Sequence, residues 1–300
     1  MIKMHQPPKM RKPSWLKVKL NTNKNYQDMK NLMQKHSLHT VCEEARCPNI
    51  YECWDNRTAT VMILGDTCTR SCRFCSVKTG RPLELDLEEP KRVADFVSKL
   101  KLRHVVVTSV DRDDLVKDFG ANIWYETIKE IHNIAPDCTV EVLTPDFKGY
   151  KPSLDRVFES KPEIFSHNIE CVESVSRKIR FQSRWDRSLN VLKYAVEKGM
   201  LTKTGMMVGL GETDKEIYET MDIINSIGVK IFNIGQYLQP TLDNIKVDRY
   251  VSPEIFKKYK DYGISIGFDV VESGPLVRSS YHADQQARKY NKKYNDDNIA

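Results

Sequence analysis

From residue 58 onward the chain alternates between two hydrophobic rhythms. Short runs rich in Val, Ile and Thr at 60–64, 104–108, 139–143, 164–169, 204–210 and 230–234 have the length and β-branched content of buried strands. Segments of helical character lie between and after them, at 90–100, 123–134, 153–159, 186–198, 214–227 and 253–264. In the fifth, Ile217, Met221, Ile224 and Ile227 recur at i, i+4, i+7 and i+10 and form one apolar stripe. Ser153 and Ser252 stand at N-cap positions, and Gly199 and Gly228 follow helices where a positive φ is wanted. Six β-then-α units predict a parallel sheet with right-handed crossovers. A doubly wound open sheet and a closed or partial barrel both fit the pattern, and six units are two short of the eightfold barrel. In either, chemistry gathers at the C-terminal ends of the strands. Upstream, residues 25–38 place Met29, Leu32, Met33 and His36 on one helical face, which suggests a short docking helix. The Lys/Tyr/Asn-rich tail after Arg288 is expected to fray.

Composition narrows the class. The 300 residues are 40% hydrophobic and 29% charged, which suits a soluble globular enzyme with a full core. No run approaches the roughly 18 apolar residues of a membrane span. The first 20 residues are basic without an apolar h-region, so neither a secretory signal nor a transit peptide is expected, and a cytoplasmic location is. The net charge of +6 is unevenly spread: residues 1–40 hold nine Lys/Arg against Asp28, leaving the rest at −2. That basic arm is either a solvated tail or a patch that steers an acidic partner. It is not interleaved with the aromatic residues of a nucleic-acid stacking platform.

Cysteine changes the picture most. Six of eight fall between Cys42 and Cys75, as the triplets Cys42-x4-Cys47-x5-Cys53 and Cys68-x3-Cys72-x2-Cys75. In a reducing compartment such density reads as metal binding. Structural zinc sites want four ligands, commonly in C-x2-C pairs, and only Cys72/Cys75 makes such a pair. Three thiolates can hold one face of an iron–sulfur cubane and leave one iron open. Cys138 and Cys171 lie near strands and read as small hydrophobes.

The second triplet, with Phe74 before its last cysteine and its place after the first strand, resembles the signature of the radical S-adenosylmethionine (SAM) superfamily. That resemblance implies a partial (β/α)6 barrel of TIM type. It also implies a [4Fe–4S] cluster on Cys68, Cys72 and Cys75 whose open iron chelates SAM and yields a 5′-deoxyadenosyl radical. Further segments are similar to the lipoyl synthase family: the first triplet, Pro13-Ser-Trp-Leu-Lys17, Val107-Thr-Ser-Val-Asp-Arg-Asp-Asp114, His167-Asn-Ile-Glu170, Met207-Val-Gly-Leu-Gly-Glu212 and Arg278-Ser-Ser-Tyr281. The likeness spans about residues 10–288. The paired triplets with Arg-Ser-Ser-Tyr are its most specific part, and Cys171 departs from it where Thr is expected.

By that resemblance Cys42, Cys47 and Cys53 hold an auxiliary [4Fe–4S] cluster with the Ser280 oxygen on its fourth iron. The implied activity is a sulfurtransferase of lipoate biosynthesis. It inserts sulfur from the auxiliary cluster at carbons 6 and 8 of a protein-bound octanoyllysine and uses two SAM per lipoyl group. The implied partners are octanoylated lipoyl carrier domains (2-oxoacid dehydrogenase acyltransferase subunits and the glycine-cleavage H protein), a low-potential electron donor and a cluster-repair factor, with neither nucleic acid nor membrane. Thr108, Asn168, Glu170 and Gly209 are expected to contact SAM. Three units follow: an N-terminal extension 1–57, the barrel 58–272 and a C-terminal extension 273–300.

The lesser features keep two readings. Asp111, Asp113 and Asp114 form either a hard-metal site or a solvated loop; Arg278 orients the auxiliary site or pairs with a surface acid; Tyr281 and His282 line the site or pack on it. Two competing functions remain: another two-cluster enzyme such as a methylthiotransferase, and a zinc-stabilised nucleic-acid-binding module.

Overall fold

The computed structural model describes residues 11–17, 24–35, 38–44, 47–55 and 60–290. Its strands are β1 (His39–Thr40), β2 (Thr60–Ile63), β3 (Thr67–Cys68), β4 (Lys78–Thr79), β5 (His104–Ser109), β6 (Thr139–Leu143), β7 (Ile164–Ser166), β8 (Thr202–Val208), β9 (Ile231–Gln236) and β10 (Val270–Gly274). The helices are α1 (Lys24–Lys35), α2 (Val41–Glu44), α3 (Ile50–Asp55), α4 (Glu89–Leu100), α5 (Ala121–Ile134), α6 (Lys151–Glu159), α7 (Glu173–Ile179), α8 (Trp185–Glu197), α9 (Asp214–Ile227), α10 (Pro253–Ile266) and α11 (Ala283–Arg288). One sheet runs β1-β2-β5-β6-β7-β8-β9-β10. β1 is antiparallel to β2, and every other neighbour is parallel. The six strands read from the sequence are consecutive in this sheet, each followed by a helix, and form the partial (β/α)6 barrel; β10 extends it as a seventh parallel strand.

Valine and isoleucine drive this arrangement. Val105, Val107, Val140 and Val142 are fully buried beneath the outer helices, as both faces of a parallel sheet require. Burying each such side chain contributes about 1.5–3 kcal/mol. The stripe on α9 buries Ile217, Met221 and Ile224, and Thr213 with Glu216 closes a capping box at its start. Gly199 and Gly228 do take positive φ, at 76° and 98°.

Two expectations are corrected and one holds. Ser153 is not an N-cap: α6 begins at Lys151, and the buried Ser153 hydroxyl donates to the Asp118 carbonyl at 2.8 Å. Ser252 does hold the N-cap position of α10, with extended backbone, but makes no side-chain cap. The fourth strand is regular only to Ser166. His167 N–H bonds the Lys203 carbonyl and Glu170 N–H bonds the Gly205 carbonyl, so three residue steps face two across the ladder. This bulge is held by Thr204, whose hydroxyl donates to the His167 carbonyl at 2.7 Å and accepts from Ile169 N–H.

The ends of the chain pack onto the barrel. In α1, Met33 is buried, and Tyr26 lies 5.2 Å from Tyr51 and 5.1 Å from Trp54 of α3. His36 and the side chains of Met29 and Leu32 lie outside the described residues, as does the tail from 291. Helix α11 closes the N-terminal end, with Ala287 against Ile164 and Ile231. The segment before it threads the barrel: Asn233 donates to the Arg278 and Ser279 carbonyls at 3.1 and 2.9 Å. A Cβ on Gly235 would collide with the Val277 carbonyl oxygen, so only glycine allows that approach.

Candidate two-cluster site

The second triplet occupies the loop after β2, and its backbone is fixed on several sides. Cys75 N–H bonds the Cys72 carbonyl at 3.0 Å, Arg73 N–H the Ile179 carbonyl at 2.7 Å, and Asn244 donates to the Cys75 carbonyl at 2.8 Å. The buried Glu89 carboxylate accepts from Leu64 N–H at 2.7 Å and holds the start of this loop against α4. Gly120 faces the Leu64 side chain, which a Cβ would meet at 2.7 Å.

The first triplet sits on α2, the turn after it and α3. Cys47 N–H bonds the Cys42 carbonyl at 2.9 Å, and Cys53 N–H the Asn49 carbonyl at 2.9 Å. Two bonds tie it to the remainder of the site. Ser76, next to Cys75, donates to the Glu44 carbonyl at 2.6 Å. Asn49 donates to the Leu276 carbonyl at 2.7 Å and draws in the C-terminal segment. Cys42, Cys47, Cys68, Cys72, Cys75 and Ser280 therefore open on one cavity of about 640 Å³.

Burial raises every one of the six thiols, Cys42 and Cys72 to about 12 and Cys68 to about 11; Cys47 beside Cys42 adds to the effect. They are protonated thiols near neutral pH, and a bound cation would displace their protons. Among the described residues no group of three or more His, Cys, Asp or Glu side chains converges on a point for a single ion. A cubane takes one thiolate per iron, so its ligands stand apart around a bulky group. The sulfur-only donor sets and the size of the cavity fit such a group and not a lone zinc.

The C-terminal segment completes the cavity. Ser280 Oγ accepts from the Thr60 hydroxyl at 2.7 Å. Arg278 lines the cavity beside Cys47, and its charge offsets part of the burial of that thiol. Tyr281 donates to Glu52 of α3 at 3.2 Å and stacks on His282 at 3.9 Å, so both pack at the first triplet's edge.

Thr108, Asn168 and Glu170 also line the cavity. The Thr108 hydroxyl donates to the Leu143 carbonyl at 2.8 Å, and Asn168 donates to Ser279 at 2.7 Å. Burial raises the Glu170 carboxyl, and Arg180 opposes it. Gly209 is different: it is not among the lining residues, and its φ of +94° and its contacts with Gln236 and the Arg249 carbonyl make it a close-packing glycine. The cavity lining thus lends no support to the SAM contact expected of Gly209. Cys138 and Cys171 are buried in apolar clusters.

The acidic loop after β5 is neither a hard-metal site nor simply solvated. Arg70, inside the second triplet, pairs with Asp113 at 2.8 Å, Asp146 at 2.7 Å and Asp111 at 3.1 Å, and Arg112 pairs with Asp114 at 2.9 Å. Asp146 is held far below the usual carboxylate range: burial opposes this, and Arg70 outweighs it. Burial holds the His167 imidazole down to about 4, although it bonds the Thr144 carbonyl. Sequence reading did not single out Arg70, Asp146 or Arg180. Asp146 follows β6 on the C-terminal side, where the strand-end rule points.

Comparison with known proteins agrees with this geometry. The radical SAM superfamily matches residues 62–224, and the N-terminal domain of lipoyl synthase of that family matches 1–47. Lipoyl synthase of Rubrobacter xylanophilus is 55% identical over 92% of this chain and 86% of its own. That of Bacteroides fragilis is 50% identical over 96% of this chain and 100% of its own. Among solved structures, Streptococcus suis SuiB bound to S-adenosylmethionine aligns with a TM-score of 0.58 at 13% identity, covering 83% of this chain and 61% of that one. Methylornithine synthase (PylB) aligns at 0.52 and 14%, covering 82% and 81%. A partial barrel whose first loop carries three cysteines, with Cys42, Cys47 and Ser280 brought onto the same cavity and Cys53 just outside its lining, and half-identical relatives along nearly the whole length, place the chain in the lipoyl synthase family of radical SAM enzymes.

Proposed function

We propose that this chain completes the lipoyl group on a protein-bound octanoyllysine by inserting sulfur at carbons 6 and 8. The observation that carries this reading is the shared cavity: Cys68, Cys72 and Cys75 open on it together with Cys42, Cys47 and Ser280. When bound, a [4Fe–4S] cluster with SAM supplies a 5′-deoxyadenosyl radical, and an auxiliary [4Fe–4S] cluster supplies sulfide. Cys68, Cys72 and Cys75 hold the former; Cys42, Cys47, Cys53 and Ser280 hold the latter. Asn168 and Glu170 orient SAM at the end of β7, with Thr108 beside them. Apolar Met62, Leu143 and Met206 line the space an acyl chain would enter. We take 1–57, 58–272 and 273–300 as the units that supply the auxiliary triplet, the barrel and the closing serine.

The reaction consumes sulfide, so a cluster-repair factor and a low-potential electron donor belong to it, with octanoylated carrier domains as substrate. No helix of the described residues is long and apolar enough to cross a membrane, and we place the reaction in the cytoplasm. Anaerobic incubation of the reconstituted protein with SAM, dithionite and an octanoyllysine peptide tests the reading. The expected result is product with two added sulfurs, two methionines and two 5′-deoxyadenosines. Release of 5′-deoxyadenosine without sulfur in the peptide would sink it.

A further inference from the structure

A second cleft lies against the outer wall of the cysteine-lined cavity. It encloses about 500 Å³ between the turn after β6 and helix α8. Lys148, Lys151, Arg184, Arg187 and Lys193 line it, against two carboxylates. All of these cations but Arg187 are exposed; Arg184 is held by Asp186 and Lys148 by Asp113, which leaves Lys151, over the Tyr194 ring, and Lys193 to meet a partner. Residues 41–300 sum to −2, so this is a local positive patch on a nearly neutral body.

Arg187 connects the patch to the cavity. It donates to one oxygen of Asp146 at 3.1 Å, while Arg70 takes the other at 2.7 Å. Asp146 lines the cavity, so a single carboxylate stands between the two spaces. Two aromatic residues border the cleft along the chain: Tyr150, 45% exposed, and Phe181, 62% exposed. Exposed aromatic residues among arginines are typical of protein interfaces. Nothing in the reaction above uses them.

We propose that this cleft docks an acidic face of the protein that carries the octanoyllysine. The inference rests on the function proposed above and adds where the carrier sits. A partner held on the cavity wall presents its acyl-lysine beside the opening, and attraction between opposite charges speeds and orients its arrival. A nucleic acid fits less well, because the cations are gathered in one concavity and form no track along which successive bases could stack.

The test is a competition in one vessel. Wild type and the Lys151→Glu/Lys193→Glu variant are reconstituted anaerobically and given an octanoylated lipoyl domain together with an octanoyllysine tripeptide, and both products are weighed by mass spectrometry. The tripeptide reports cluster loading and folding, so the ratio isolates docking. The ratio of carrier to peptide product should fall about tenfold in the variant. Added salt should depress the wild-type ratio and leave the variant's nearly flat. An unchanged ratio, or a lowered ratio with wild-type salt dependence, overturns the inference while the proposed function stands. Loss of RNA binding with an intact ratio assigns the cleft to nucleic acid and overturns it too. If the wild type modifies neither substrate, the reading of the cavity fails and the docking proposal falls with it.

Discussion

Thr60 donates its hydroxyl to Ser280 across 2.7 Å, joining the first residue of the barrel's first strand to a residue 220 positions later. The pair fixes the serine on the cavity that Cys42 and Cys47 also line. If Ser280 binds iron through its oxygen, that oxygen carries negative charge, and a hydrogen bond to it contributes about 1.5–3 kcal/mol. Thr60→Val should therefore speed iron loss to a chelator by about tenfold or more, while Thr60→Ser keeps the wild-type rate. Equal rates in all three proteins would refute the role.

Serine oxygen is a harder, poorer partner for an iron–sulfur centre than thiolate. Ser280→Cys should keep about eight irons per chain and lose the fully sulfurised product. Iron analysis beside product mass spectrometry decides it; full turnover would show that a weak fourth ligand is not needed.

The Arg70 cluster predicts a stability effect separate from chemistry. Its side chain is 2% exposed and faces three carboxylates. Arg70→Met leaves Asp111 without its cation and Asp146 and Asp113 with only Arg187 and Lys148, and should cost about 3 kcal/mol, read as a lower denaturant midpoint in the metal-free protein. Arg70→Lys should recover only part, because one ammonium cannot serve the forked geometry around Asp113 and Asp146.

Gly235→Ala would drive a methyl group into the Val277 carbonyl. We expect destabilisation of about 1–3 kcal/mol and displacement of residues 277–280. The displacement should show as faster proteolysis near Arg278, with the cluster on the second triplet still formed.

His167 gives a pH signature. Its folded value of about 4 lies below the ordinary 6.5, with burial as the main cause. The unfolded chain therefore binds the extra proton first as pH falls. The contribution is fully present above pH 6.5 and is lost on descent towards pH 4, a change of roughly 3 kcal/mol. Unfolding free energies of wild type and His167→Gln, compared across that window, should differ in slope, the variant being flatter.

Much of this was legible in the residues, for identifiable reasons. The six strands are short, largely buried runs centred on Val, Ile and Thr, as buried parallel strands require. The cysteine triplets carry their chemistry in their side chains whatever the fold. Other features escaped because they depend on partners distant in sequence. Strand β10 (Val270–Gly274) holds Glu272, Ser273 and Gly274 and has little local preference; pairing with β9 makes it a strand. The bulge after Ser166 exists because Thr204 is there to support it. Asp111 and Asp113 looked solvated until Arg70 was placed between them. Gly209 looked like a ligand contact because φ and packing are invisible in one dimension.

The closing strap has a consequence for biogenesis. Asn49 reaches the Leu276 carbonyl, and Thr60 reaches Ser280, so the first-made triplet is completed by residues 227 and 220 positions further along. During synthesis the early cysteines must wait, unsealed, until that segment has left the ribosome. Contacts of such separation also form late in folding. The inorganic cargo of that half is therefore best delivered once this segment has emerged, and a chain cut before Leu276 would keep six thiols yet have no means of shutting them in.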